Sequence, residues 1–178
     1  GHDESIYAHV DSLDLLNKPA RLEQKLAAIH ESLFAHADFI DRISVAKYDP
    51  ATDELKTFLA SSPGSNDLVR YEAKLSETPS LLEILEAGRP RVVRNLGLFN
   101  EGVHVHTEII AKEGYQFSYT SPMYLNGVFW GFIFFNSRTG NAQLDEAMLR
   151  VLDVYSHLIS ALVTAEMLSV RILAATIK

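Results

Sequence analysis

The stretch from Gly114 to Ile177 constrains the fold of this chain more than any other. Two apolar runs flank Asn126-Gly127, and a helix-patterned segment follows them directly. Asn-Gly between apolar runs is the pair that a tight type I′ turn wants, because both central residues need positive φ. The second run, Val128 to Phe135, is apolar on both faces apart from Gly131, which predicts a central strand covered above and below. With Asn141 as N-cap, the spacing predicts one helix from about Ala142 to the end, reaching roughly 50 Å at 1.5 Å per residue.

The upstream sequence supplies the rest of a sheet. Residues 3–16 predict a short helix, with Ile6, Val10, Leu13 and Leu16 near one face. Pro19 suits a first helical position, and Leu22, Leu26, Ile29 and Leu33 follow at helical spacing to about Ala37. Ile43 and Val45 alternate with Arg42 and Ser44. Asp49 to Asp53 has turn chemistry, and Leu55, Thr57 and Leu59 restart the period of two, so this segment reads as a hairpin. Residues 61–66 form a loop and 70–76 a short strand. Thr78-Pro79-Ser80 starts a helix that ends at Gly88, and Arg91–Arg94 forms another strand. Residues 95–107 read as irregular and 107–113 as a two-turn helix. The order predicts an α+β fold: about six mostly antiparallel strands, long terminal helices on one face, short helices and loops over the other.

Composition excludes several function classes. A net charge of −7 opposes sequence-independent nucleic-acid binding, which needs clustered Lys and Arg to displace counterions. The chain has no cysteine, which removes disulfides, thiol redox, Cys-ligated zinc, cysteine nucleophiles and thioether-linked chromophores. No uninterrupted apolar run reaches the roughly 18 residues of a membrane span. The polar start Gly1-His2-Asp3-Glu4 resembles a tag remnant rather than a secretory signal. A cytoplasmic protein is the natural expectation, without membrane insertion. The final helix carries no stop signal, which suggests an output domain following it in a longer chain. The expected division is 1–18 (tag remnant and short helix), 19–165 (main domain) and 166–178 (start of a helical extension).

The run Tyr124-Leu-Asn-Gly-Val-Phe-Trp-Gly-Phe-Ile-Phe-Phe135, with Asn136 and then Leu144-Asp145-Glu146 entering a long helix, resembles the closing hairpin and helix of GAF domains. The resemblance spans roughly 20–165 and is strongest from 104 on. It implies a bacterial regulatory module that senses a small molecule, dimerises, or does both, ahead of a kinase, cyclase, phosphodiesterase or transcription activator. The Gly-Phe-Ile-Phe-Phe-Asn run is similar to sensors paired with HD-GYP phosphodiesterases. Against bilin-binding members, His106 matches the pocket histidine, Ser118 and Thr120 match pocket-facing strand residues, and Asn136 lies on the partner strand. Val105 stands where those members have cysteine, and no Asp-Ile-Pro motif occurs, so a covalent bilin is excluded. The cyclic-nucleotide signature is broken at Ser137. The expectation is therefore no cofactor, with an unidentified small-molecule ligand.

Strand geometry leaves two arrangements of that hairpin. A strict two-residue turn pairs Ser121 with Phe132 and Tyr119 with Phe134. A bulge instead groups Ser118 and Thr120 with Phe132 and Phe134, the arrangement the resemblance favours. Aromatic bodies with a few hydroxyls suit a small-molecule pocket, and equally a filled core. His104-Val-His106, with Glu101 and Glu108 near in sequence, has metal-ligand chemistry, but two ligands are too few and exposed loop histidines are the simpler reading; no metal is expected. Arg89, Arg91 and Arg94 could clamp a carboxylate or phosphate, against the plainer reading of a short strand with solvated arginines.

The last helix carries two apolar stripes. Leu144, Met148, Val151, Tyr155, Leu158 and Leu162 form the stripe expected to pack on the sheet. Leu152, Ile159, Val163, Met167, Val170, Leu173 and Ile177 form a second, expected to pair with the same helix of a partner in a parallel homodimer. A purely structural dimerisation module is the alternative function. Catalysis has no support: no phosphate loop, nucleophile elbow or His-Glu-x-x-His occurs.

Overall fold

The computed structural model describes residues 9–64, 71–94, 114–139 and 144–177, with side chains to Ser169. In chain order the elements are α1 (Leu22–Phe34), β1 (Arg42–Asp49), β2 (Glu54–Ser61), β3 (Glu72–Lys74), α2 (Pro79–Ala87), β4 (Arg91–Arg94), β5 (Phe117–Leu125), β6 (Val128–Ser137) and α3 (Glu146–Ile177). Short 3₁₀ turns cover Asp14–Asn17 and Leu75–Glu77.

The six strands form one sheet in the order β3-β2-β1-β6-β5-β4, every pair antiparallel. The α+β architecture therefore stands as the sequence predicts. Asn126 and Gly127 both take positive φ, at 50° and 79°, as a type I′ turn requires. The hairpin register shifts between Met123 and Tyr124: Met123 pairs with Gly131 and Tyr124 with Phe129, leaving Trp130 as the extra residue. A matching irregularity on β2 pairs Val45 with Leu59 but Ala46 with Thr57, leaving Phe58 unpaired.

Two hydrophobic layers sandwich the sheet. On one side α1 and α3 cover Ile43, Val45, Leu59, Phe117, Tyr119, Met123, Ile133 and Phe135. On the other, α2 and the β2–β3 region cover Ala46, Leu55, Phe132 and Phe134, with Leu81 and Ile84 packed onto them. Gly131 lies where β6 meets β1 most closely: a Cβ there would overlap the Ala46 carbonyl oxygen and stand 2.8 Å from Met123 Cε.

Several boundaries differ from the sequence reading. Residues 9–13 are not helical, and only Asp14–Asn17 turn. Helix α1 starts after Pro19, where the Gln24 side chain returns to the Arg21 backbone N–H at 3.1 Å. Thr78 precedes α2, but its hydroxyl donates back to the Leu75 carbonyl at 2.9 Å instead of capping the helix. Gly88 closes α2 in the left-handed conformation, as expected. Helix α3 begins four residues later than the Ala142 expectation, because Asp145 accepts the Met148 N–H at 2.8 Å and serves as the cap. Asn141, the irregular stretch 95–107 and the helix at 107–113 lie outside the described residues.

The face of α3 that meets the sheet also departs from expectation. Leu152, Ser156, Ile159 and Val163 point inward, and Leu152, Ile159 and Val163 are 0% exposed. They are core residues of their own chain and cannot form a partner interface. Leu144, Met148, Val151, Tyr155, Leu158 and Leu162 are the half-buried flank, together with Met167. The inward residues of α3 are covered within one chain by the sheet and by α1, which lies beside α3 and is tied to it by a Ser32–Tyr155 hydroxyl contact of 2.8 Å. The side chains of Val170, Leu173 and Ile177 lie outside the described residues. Glu146–Ser169 is long and apolar enough, with a mean hydropathy of 1.3, to meet the length and composition of a membrane span, although Arg150, Asp153 and Glu166 interrupt it. Burying each inward Leu, Ile or Val on the sheet stabilises the fold by about 1.5–3 kcal/mol.

Candidate ligand-binding face

The sheet face opposite α1 and α3 carries a set of polar side chains brought together by strand register. Arg91 on β4 pairs with Thr120 on β5, Thr120 with Phe134 on β6, and Phe134 with Ser44 on β1. Two residues further along, Val93 pairs with Ser118, Ser118 with Asn136, and Asn136 with Arg42. Side chains opposite one another in a ladder share a face, so these form two cross-strand rows. The bulge at Trp130 makes this possible. Without it Ser118 and Thr120 would stand on the opposite face from Phe132, Phe134 and Asn136.

Of the expected site residues, the structure thus places Ser118, Thr120, Phe132, Phe134 and Asn136 on one face. His106 lies outside the described residues, as does His104. Phe132 and Phe134 bound the polar rows on one side, with Phe129 against Phe132 at 5.1 Å and Tyr71 against Phe134 at 6.5 Å between ring centroids.

Asn136 stands out on this face. Its side chain is 0% exposed, and neither Nδ2 nor Oδ1 has a hydrogen-bond partner. A buried amide left this way costs about 1–3 kcal/mol for each unsatisfied group. Its neighbours do not relieve it: the Ser118 and Thr120 hydroxyls meet each other at 3.2 Å. At the β4 end, Arg91 is half-buried, donating from Nη1 to the Ser80 carbonyl at 3.3 Å while its Nε has no partner. Burial pulls the Arg91 guanidinium below its ordinary pKa, and Glu83 opposes this only electrostatically. The Ser80 hydroxyl on α2 is likewise buried without a partner.

The three arginines of 89–94 do not converge. Arg89 is exposed, and Arg94 lies on the helix face, reaching the Leu144 carbonyl at 3.3 Å. Only Arg91 belongs to the polar rows. Arg42, Ser44 and Ser80 were not anticipated as site residues. The alternation of Arg42 and Ser44 with Ile43 and Val45 signals two different faces, but sequence alone reads the polar one as solvent. Both are buried.

The opposite side of β5 makes one specific link to α3. Tyr119, between Ser118 and Thr120, donates its hydroxyl to Asp153 Oδ1 at 2.5 Å and stacks on Phe135 at 5.3 Å. Burial, and after it the Asp153 carboxylate, push the phenol far above its usual range, so the proton stays on the tyrosine. Among the described residues no group of three or more His, Asp or Glu is placed to hold a metal ion.

No protein-family profile matches this chain, and no curated protein matches it by sequence. Solved structures do. The phycocyanobilin-bound GAF domain of a cyanobacterial phytochrome superposes with a TM-score of 0.64 at 15% identity, covering 91% of this chain and 98% of that one. The GAF domain of a phosphoenolpyruvate-protein phosphotransferase from Coxiella burnetii gives 0.66 at 16% identity, covering 89% and 91%. The chromophore-binding domain of a Stigmatella aurantiaca phytochrome gives 0.60 at 16% identity, covering 90% of this chain and 62% of that one. The fold is that of GAF domains.

Proposed function

We propose that this chain is a non-catalytic sensor domain that binds a small molecule on the β4–β5–β6–β1 face. Its signal would leave through α3 to an output domain; the resemblance of Gly131–Asn136 names an HD-GYP phosphodiesterase as one candidate. The observation that carries the reading is Asn136: a fully buried amide with both polar atoms unpartnered, flanked by Ser118 and Thr120. A ligand supplying an acceptor and a donor would satisfy it. Strand alternation supplies the route onward. Ser118 and Thr120 meet the ligand, while Tyr119 between them holds Asp153 on α3. A ligand that shifts β5 then biases the position of α3, which is a population shift between two packings.

Dimerisation is the second part of the proposal, on a corrected stripe. Val151, Val154, Leu158, Ala161, Ala165 and Leu168 recur at 3-4-3-4-3 spacing along α3. Val154 is 64% and Leu168 40% exposed. A heptad-spaced, outward apolar stripe suits a parallel helix pair with a second copy.

The competing reading, a structural module with a filled interior, draws on the aromatic packing of Phe129, Phe132, Phe134 and Tyr71. Asn136→Leu separates the two, since leucine keeps the branching of asparagine and removes both polar atoms. Native mass spectrometry and thermal shift against a metabolite library are run on both proteins. The sensor reading expects a retained or added compound on the wild type and its loss in the variant. A variant that is only more stable, with no compound bound by either protein, would establish the filled interior.

A further inference from the structure

We infer that the ligand of this face is a small organic anion, whose carboxylate or phosphate oxygens meet Arg91 and Ser80 while its other end meets Asn136. This rests on the sensor reading above and adds the ligand's chemical class. Three groups in or beside the rows have buried atoms with unmet hydrogen-bonding capacity: Arg91 Nε, the Ser80 hydroxyl on α2 and the Asn136 amide. The guanidinium among them only donates, and charged donors of that kind are complemented by carboxylate or phosphate oxygens.

Charge points the same way. No carboxylate among the described residues pairs with Arg91; its hydrogen bond is to a neutral carbonyl, and Glu83 acts from a distance. A half-buried guanidinium facing neutral groups is the arrangement a bound anion completes. The hydroxyls of Ser44, Ser118 and Thr120 stand in the same rows without adding charge.

The register also bounds the ligand's size. Arg91 and Asn136 stand two strands and two residues apart, which is about 12 Å between backbones at ordinary sheet spacing. A ligand bridging the two would therefore be a compact metabolite rather than an extended chromophore.

The test is thermal shift and calorimetric titration at fixed ionic strength. The probes are inorganic phosphate, glycerol phosphate, succinate and, as neutral counterpart, succinamide. At about a hundred times its dissociation constant, a bound anion raises the melting temperature by about 5–10 °C. We expect this for succinate or for a phosphate probe, which tells carboxylate from phosphate, and not for succinamide. Arg91→Gln should abolish the shift, and Ser80→Ala, which adds no volume, should weaken binding at least several-fold. Equal shifts from succinamide and succinate, an unchanged shift in Arg91→Gln, or unaltered affinity in Ser80→Ala would overturn the inference. So would no shift from any of the anions. If a neutral compound from the library then binds in an Asn136-dependent way, the anion class fails and the sensor reading stands. If nothing binds at all, both fail.

Discussion

Tyr119→Phe is the sharpest probe of how the two faces of the sheet communicate. The substitution removes one oxygen, keeps the ring stacked on Phe135, and leaves Asp153 without its donor at 2.5 Å. Hydrogen bonds to charged groups contribute about 1.5–3 kcal/mol. Tyr119 is 1% exposed and Asp153 half-buried, so solvent replaces the lost donor only in part. The expected loss is about 2 kcal/mol, or about 4–8 °C in melting temperature for a chain of this length. Urea unfolding followed by the fluorescence of Trp130, the single tryptophan, measures it directly. A double-mutant cycle with Asp153→Asn isolates the pair, and a coupling energy near 1–2 kcal/mol is expected. Coupling below about 0.5 kcal/mol would refute the idea that this contact ties β5 to α3. The variant should also still bind whatever the opposite face holds, because Ser118 and Thr120 are untouched.

Three further outcomes follow from the packing. Gly131→Ala forces a Cβ into the Ala46 backbone carbonyl between the two central strands, which cannot yield as a side-chain tip would; destabilisation of about 3 kcal/mol or more is expected in chemical unfolding, and a cost under 1 kcal/mol would contradict the close approach of β1 and β6. His30 is buried, with Nε2 2.7 Å from the Ile40 carbonyl and Nδ1 2.8 Å from Ser61 Oγ, and burial holds its pKa below the ordinary 6.5. The unfolded chain therefore takes up this proton first: stability is complete above about pH 6.5 and falls as the pH drops from there towards the folded-state value, and His30→Gln should flatten that slope. On α3, Leu152→Ala should cost about 2–5 kcal/mol without changing the oligomeric state, whereas Val154→Asp with Leu168→Asp should leave the fold intact and dissociate the proposed dimer in sedimentation or light scattering. A monomeric wild type at high concentration would remove the helix-pair proposal.

Sequence was most informative where one residue type has a single physical solution. Asn126-Gly127 specified its turn because two successive positive φ values are costly for other pairs. The apolar run after it read as a central strand because nothing polar in Val128–Phe135 could face water. The polar partners on the candidate face were harder. Ser118, Thr120 and Asn136 were reached through the family resemblance, and Arg42, Ser44 and Ser80 were passed over, because an alternating strand does not say whether its polar side meets solvent or a second layer. Helix phase failed for a related reason. Leu152, Ile159 and Val163 were set against a partner because two apolar stripes imply two neighbours. Both neighbours, the sheet and α1, belong to the same chain. The sequence reading starts the last helix after Asn141; the Asp145 contact with the Met148 N–H sets the start four residues later.

The bulge at Trp130 has a consequence larger than one displaced residue. Had β5 and β6 paired without it, Tyr119 and Phe134 would share a face, and Ser118 and Thr120 would face away from Asn136. The extra residue aligns the hydroxyls of β5 with the amide of β6 on one side, and Tyr119 with Phe135 on the other. Successive residues of β5 then belong to different layers: one set to the polar rows, the other to the core beneath α3. A change in the strand's position cannot act on one layer alone, because the strand is shared and both layers are closely packed. In the proposed sensor, recognition and transmission are therefore physically joined in β5 but chemically separable. A Thr120 substitution acts on the first and a Tyr119 substitution on the second, though the two residues are neighbours in the chain.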